Sequence, residues 1–329
     1  MPYALYQNCL LCPRVCGVDR LAGSRGYCGE DSRLRLAFAG LHSGEEPPLS
    51  GNCGSGTVFV SGCNLGCGFC QNWQISSPHL AEHLGRVVSA EEFAAICLEL
   101  QKRNAQNINI VTGSHAVPAI VQGLDAAASA GLHIPALWNS SGYESTETLE
   151  LLGDSIKTWL PDLKTLDTEL AGKFLNAPDY PQVAVRAIQW MMKTRPGDVI
   201  IRHLILPGYL ESTRSVLRWF ADNAVGKAQL SLMSQYTPIK GFALRYPHSL
   251  GHVRASTTAT SLRSSMENEA DAPRRYVNER EYETVLGWLG EFGIEDGFCQ
   301  ELVTGSDWLP DFSRANPFSS GLSVPVWHY

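Results

Sequence analysis

At 329 residues and 36.0 kDa, with 44% hydrophobic and 18% charged residues, the chain has the composition of a globular protein, which excludes wholesale disorder. A formal charge of -7 leaves no broad basic surface for a nucleic-acid backbone, so no nucleic-acid partner is expected. No apolar run reaches the roughly 18 residues of a membrane span, and residues 1–11 lack the basic and apolar regions of a secretory signal, so a cytoplasmic protein with no membrane association is the expectation.

The first 50 residues are rich in cysteine and turn formers and too few to build a large core unaided, which marks 1–50 as a metal-stapled extension. Within it Cys9, Cys12, Cys16 and Cys28 stand among Pro13, Gly17, Gly23, Gly26 and Gly29. Four thiolates can close around zinc or hold a 4Fe-4S cluster, and the spacing leaves both open. From residue 57 six near-continuous apolar runs follow, at 57–61, 107–112, 134–139, 156–162, 199–206 and 229–235, as strands buried on both faces require.

Helical patterns alternate with these runs at 89–103, 117–130, 146–152, 183–193 and 213–224. Such βα units predict parallel strands joined by right-handed crossovers, in an open sheet or a partly closed barrel, over a core of residues 51–240. In either architecture the chemistry gathers at the carboxyl edge of the sheet. Residues 241–275 read as a flexible surface insertion, and 276–329 as a helix over 279–292 followed by a proline-rich and aromatic tail. Cys97 is expected in the core, and Cys299 on a buried strand at 297–302.

Seven of the ten cysteines fall into two tight groups, which in a reducing compartment favours metal ligation over disulfides. Cys63, Cys67 and Cys70 have the spacing C-x3-C-x2-C just after the first predicted strand. Three thiolates can wrap one face of a 4Fe-4S cube and leave one iron open to bind a substrate. Gly62, Gly66 and Gly68 let the loop fold tightly. A zinc knuckle or a structural loop is the alternative; it lacks a nearby fourth ligand, because a whole strand separates Cys53 from Cys63.

The triplet, with Gly54-Ser55-Gly56-Thr57, Cys70-Gln71-Asn72-Trp73, Trp138-Asn139-Ser140-Ser141-Gly142-Tyr143, Pro161-Asp162-Leu163-Lys164, Arg202-His203-Leu204-Ile205-Leu206-Pro207-Gly208 and Ser234-Gln235-Tyr236, resembles the radical SAM superfamily. Within it the chain looks similar to the pyruvate formate-lyase activating enzymes and their relatives with an N-terminal cysteine motif. The resemblance implies a partial (β/α)6 TIM-like barrel with a cysteine-rich N-terminal extension and an irregular C-terminal tail. It implies S-adenosylmethionine bound at the open iron, an electron donor such as flavodoxin or ferredoxin, and hydrogen abstraction from a protein or peptide, as in glycyl radical enzyme activation. A small-molecule substrate, or a non-enzymatic metal-binding module, are the alternatives.

Carried over residue by residue, the resemblance places Phe69 beside the adenine, Asn139 and Ser140 near the methionine or ribose, and His203 near the ribose. Asp162 and Lys164, two apart on one strand, would hold the ammonium and a carboxylate or hydroxyl. The bland readings are a structural ion pair for Asp162 and Lys164 and a satisfied core histidine for His203. Where the family has a Gly-Gly-Glu-like turn, this chain has Val111-Thr112-Gly113-Ser114-His115, with one glycine and no carboxylate. Gly113 and Ser114 are expected to keep the grip on the ammonium.

Overall fold

The computed structural model describes residues 2–76, 84–239, 273–319 and 321–329, and all but the last three residues of the expected 241–275 insertion lie outside them. Ten strands are described: β1 (Leu34–His42), β2 (Ser55–Val60), β3 (Arg86–Val88), β4 (Ile108–Val111), β5 (Ala136–Ser140), β6 (Thr158–Pro161), β7 (Ile200–Leu204), β8 (Gln229–Met233), β9 (Gly297–Cys299) and β10 (Ser323–His328). β2, β4, β5 and β6 pair in parallel and in order, as do β7, β8 and β9. Parallel bridges Trp159 to Val199 and Asp162 to Arg202 join β6 to β7, so one parallel layer runs from β2 to β9. Among the described residues no pairing joins β9 back to β1, β3 or β10, and the barrel is partial.

Strand alternation divides the core in two. Val58, Ile110, Trp138, Trp159 and Ile201 face the helices Ala90–Lys102, Val117–Ser129, Thr146–Leu152, Thr168–Leu175, Tyr180–Thr194 and Leu210–Asn223. The alternate residues face inward: Phe59 and Val111 meet Phe38 and Phe312, while Leu137, Leu160 and Ile200 meet Leu49. Leu49 comes from the β1–β2 connection, which enters the barrel at the amino ends of the strands, where its carbonyl accepts from the Asn107 side chain at 2.8 Å. Glu45 and Glu46 on the same connection pair with Arg202 inside the barrel, Glu45 at 2.5 Å.

Three features depart from the sequence reading. β1, inside the expected extension, is a full member of the sheet, antiparallel to β2, β3 and β10. A register shift between Leu36 and Phe38 breaks its period-2 pattern, and with it the sequence signal. The tail is irregular to residue 319 but ends in β10, which covers the outer edge of β1. Cys299 lies on a strand as expected, yet it is exposed because β9 is the last strand of its sheet, whereas Cys97 is fully buried.

Candidate active site

The three-cysteine loop leaves the carboxyl end of β2 through Gly62, whose φ of +86° suits glycine. A Cβ there would lie 2.9 Å from the Cys28 carbonyl and 3.0 Å from His115 Nε2, so the extension and the β4 turn both close on this residue. Beyond it the loop rests on the end of helix Thr168–Leu175: Gly66 N–H donates to the Leu175 carbonyl at 3.1 Å and Gly68 N–H to that of Phe174 at 2.8 Å. Asn64 Nδ2 ties the loop to the Tyr143 carbonyl at 2.6 Å.

This scaffold brings Cys63, Cys67 and Cys70 within electrostatic reach of one another and of the Lys164 ammonium. Loss of water pushes the Cys63 thiol up to about 12 and raises Cys67 and Cys70 as well, and in each case Lys164 pulls the other way. Leu65 N–H points at Cys63 Sγ from 3.3 Å. Thiols gathered at the lip of a sheet, faced by a cation and served by a backbone donor, fit an iron-sulfur cluster, whose thiolate shell needs that compensation. Among the described residues no group of three or more His, Cys, Asp or Glu side chains is arranged to hold a single metal ion.

Opposite the loop, Asp162 and Lys164 form an ion pair at the end of β6, with both side chains largely buried. The Tyr180 hydroxyl accepts from Lys164 N–H at 3.0 Å and stands 2.8 and 2.9 Å from the carbonyls of Asp162 and Ser141, locking the turns after β5 and β6 together. Gly142, at φ +74°, makes room for that lock, since a Cβ would sit 2.5 Å from the Asp162 carbonyl. Asn139 shares the inner face of β5 with Leu137 and is half-buried there.

At the β4 turn, Thr112 takes the left-handed conformation (φ +63°) that a glycine would adopt without strain. Gly113 is needed for a different reason: a Cβ would lie 2.5 Å from the Trp138 ring and 2.7 Å from Ile120. The carboxylate missing from this turn arrives from elsewhere. Glu144, buried after β5, accepts from the Ser114 hydroxyl at 2.8 Å, from Trp138 Nε1 at 2.6 Å and from the Ser140 hydroxyl at 2.7 Å. Burial raises its pKa and the three donors oppose the rise.

The hydroxyls of Ser114 and Ser140 are thus committed to Glu144, which leaves the main chain of each turn for the expected contacts. Sequence reasoning missed Glu144 although it adjoins the quoted Trp138–Tyr143 block.

His203 is likewise held by the protein. It lies on the helix-facing side of β7, with Nδ1 2.7 Å from the Leu163 carbonyl and Nε2 3.0 Å from the Thr213 hydroxyl, so neither ring nitrogen is left for a ligand. Burial lowers its pKa to about 4. Phe69 is buried, edge-on to Phe174 and tilted against Tyr236 at centroid distances of 6.4 and 6.1 Å. In the extension, Cys12 lies within electrostatic reach of Cys9, Cys16 and Cys28. Arg20 Nη1 points at Cys9 Sγ from 3.6 Å, and Tyr27 N–H at Cys16 Sγ from 3.3 Å.

An uncharacterized protein of Methanocaldococcus jannaschii is 29% identical over 238 residues, covering 71% of this chain and 67% of that protein. Three solved structures are similar in fold. Streptococcus suis SuiB bound to S-adenosylmethionine gives a TM-score of 0.44 at 16% identity, covering 73% of this chain and 45% of that one. A radical SAM methyltransferase from Sphaerobacter thermophilus gives 0.47 at 16% identity (75% and 66%), and methylornithine synthase, PylB, 0.47 at 15% identity (79% and 76%). The chain therefore spans under half of the first structure and about two thirds of the second. Residues 57–220, about half of the chain, match the Radical SAM superfamily, and this stretch contains the three-cysteine loop, the β4 turn and the Asp162–Lys164 pair. The chain belongs to the radical SAM superfamily, which implies a 4Fe-4S cluster and S-adenosylmethionine as its cofactors.

Proposed function

We propose that this chain is a radical enzyme acting on a protein or peptide, in the manner of a glycyl radical enzyme activase. When bound, the cofactors would supply radical chemistry: one electron from an external reductant would open a carbon-sulfur bond of the sulfonium, and a hydrogen atom would be taken from the substrate. The residues of the chain bind and orient. Cys63, Cys67 and Cys70 hold the cluster, and Lys164 balances their charge. Asp162 and Lys164 offer an acceptor and a donor to the zwitterionic end of S-adenosylmethionine. Gly113, Ser114, Asn139 and Ser140 line the approach with main-chain groups and one amide, and Phe69 gives an apolar surface for the adenine.

The observation that carries this reading is the three-thiol loop at the carboxyl edge of β2, inside the family-matched segment. The open barrel supports a protruding peptide as substrate. One observation favours a small molecule instead: Phe312 and Phe318 of the tail pack on Phe59 at 5.4 Å and fill that flank of the barrel. We also propose a second metal, zinc or 4Fe-4S, at Cys9, Cys12, Cys16 and Cys28; iron and zinc analysis of the quadruple Cys→Ala variant tests it.

The main test is anaerobic. Dithionite-reduced, reconstituted protein should release deoxyadenosine and methionine from S-adenosylmethionine, and Cys63→Ser, Cys67→Ser and Cys70→Ser should release none. Deuterium carried from a labelled peptide into deoxyadenosine supports the substrate class. Release of deoxyadenosine by all three variants would sink the proposal.

A further inference from the structure

One side chain of the extension hydrogen-bonds directly to the three-cysteine loop. Arg14, between Cys12 and Cys16, donates through Nε to the Asn64 carbonyl at 2.8 Å and through Nη1 to the Asn176 carbonyl at 2.7 Å. Its guanidinium stacks 3.8 Å from the centroid of the Tyr27 ring, with Tyr143 at 5.3 Å on the same cation. Tyr143 in turn accepts from Asn64, so the cation, both rings and the loop form one assembly. Neither hydrogen bond goes to a carboxylate, so among the described residues neither contact neutralises the cation.

The third nitrogen decides the matter. Arg14 Nη2 is buried and has no hydrogen-bond partner. A buried guanidinium donor left without an acceptor is costly. The orphaned donor has an explanation if its acceptor is a group that binds in the loop.

We propose that Arg14 Nη2 donates to a sulfur of the cluster held by Cys63, Cys67 and Cys70, and that this contact from the N-terminal extension sets the cluster's reduction potential. A cation and a hydrogen bond both favour the reduced, more negative state, so Arg14 raises the potential and eases entry of the electron that the chemistry requires. The proposal rests on the radical SAM reading above.

The test is a redox titration of reconstituted protein, following the EPR signal that changes on addition of S-adenosylmethionine, so that any second cluster does not contribute. Arg14→Gln is expected to keep its iron and sulfide content while the reduction equilibrium shifts at least tenfold toward the oxidised state, which is 59 mV for a one-electron couple. Arg14→Lys, which keeps the charge and loses the fork, should recover part of that shift. Unchanged potentials in both variants, or equal loss of iron from both, would overturn the proposal and leave Arg14 as scaffold. A wild-type signal that ignores S-adenosylmethionine would instead count against the radical SAM reading itself.

Discussion

Removing the Glu144 carboxylate should cost more than any other single polar deletion near the site. Glu144→Ala strands the Trp138 Nε1 donor, which has no second partner, and leaves the Ser114 and Ser140 hydroxyls to reorient around a void. One buried donor left unmade costs about 1–3 kcal/mol, and a cavity and two weakened hydroxyl bonds bring the loss to about 3–5 kcal/mol. Glu144→Gln should behave differently. Its carbonyl oxygen still accepts from Trp138 and Ser114, its amide can donate to Ser140, and a neutral group avoids the desolvation that raises the carboxyl pKa. The glutamine variant should therefore stay within about 1 kcal/mol of the parent. Urea unfolding of the three metal-free proteins reads both numbers. If alanine were tolerated within about 1 kcal/mol, or glutamine proved as damaging as alanine, the network would not be what joins the β4 and β5 turns.

Thr112→Gly should relieve about 1–2 kcal/mol of left-handed strain against about 0.5–1 kcal/mol of added chain entropy, a small net gain visible as a raised Tm. Phe312→Ala, at a side chain buried against Phe59 and Phe318, should lower stability by about 3–5 kcal/mol in the same unfolding assay. His203, neutral in the fold with a pKa of about 4, binds its proton more readily when unfolded, near 6.5. Its contribution is therefore complete above pH 6.5 and is lost as pH falls toward 4, by about 3 kcal/mol over the window. The stability-pH slope of His203→Gln between pH 6.5 and 4 should be shallower than that of the parent, and equal slopes would refute the assignment.

The parallel strands were legible because each is buried on both faces and must read as an apolar run; four of the six expected runs contain their observed strand entirely, and the other two overlap β2 and β5. β1 was hidden by its register shift, and helix Thr168–Leu175 by its brevity, although Asp167 caps it by accepting from the Glu169 and Leu170 N–H groups. The capping box of Asn278 and Glu281 at the start of helix Glu279–Glu291 was present in the sequence and went unread.

In the site, residues that work through local spacing were visible: the cysteine triplet, and the Asp162–Lys164 pair. Residues whose contacts follow no spacing pattern were not. Glu144 collects donors 4, 6 and 30 residues away, and Arg14 reaches Asn64 and Asn176 across 50 and 162 residues of chain. His203 faces the helices for a simpler reason. Successive residues of a strand face opposite sides, and Arg202 already faces the barrel interior.

The central claim is that three protein sulfurs hold a cube with one iron free for S-adenosylmethionine. Mössbauer spectroscopy of protein reconstituted with iron-57, before and after addition of S-adenosylmethionine, tests it most directly. The account predicts that one iron of this cube, one in four of all the iron or one in eight if the extension holds a second cube, shifts to the higher isomer shift of a site bound by nitrogen and oxygen, with the others unchanged. Four equivalent sulfur-bound irons that ignore the addition, or no cubane spectrum at all, would contradict it.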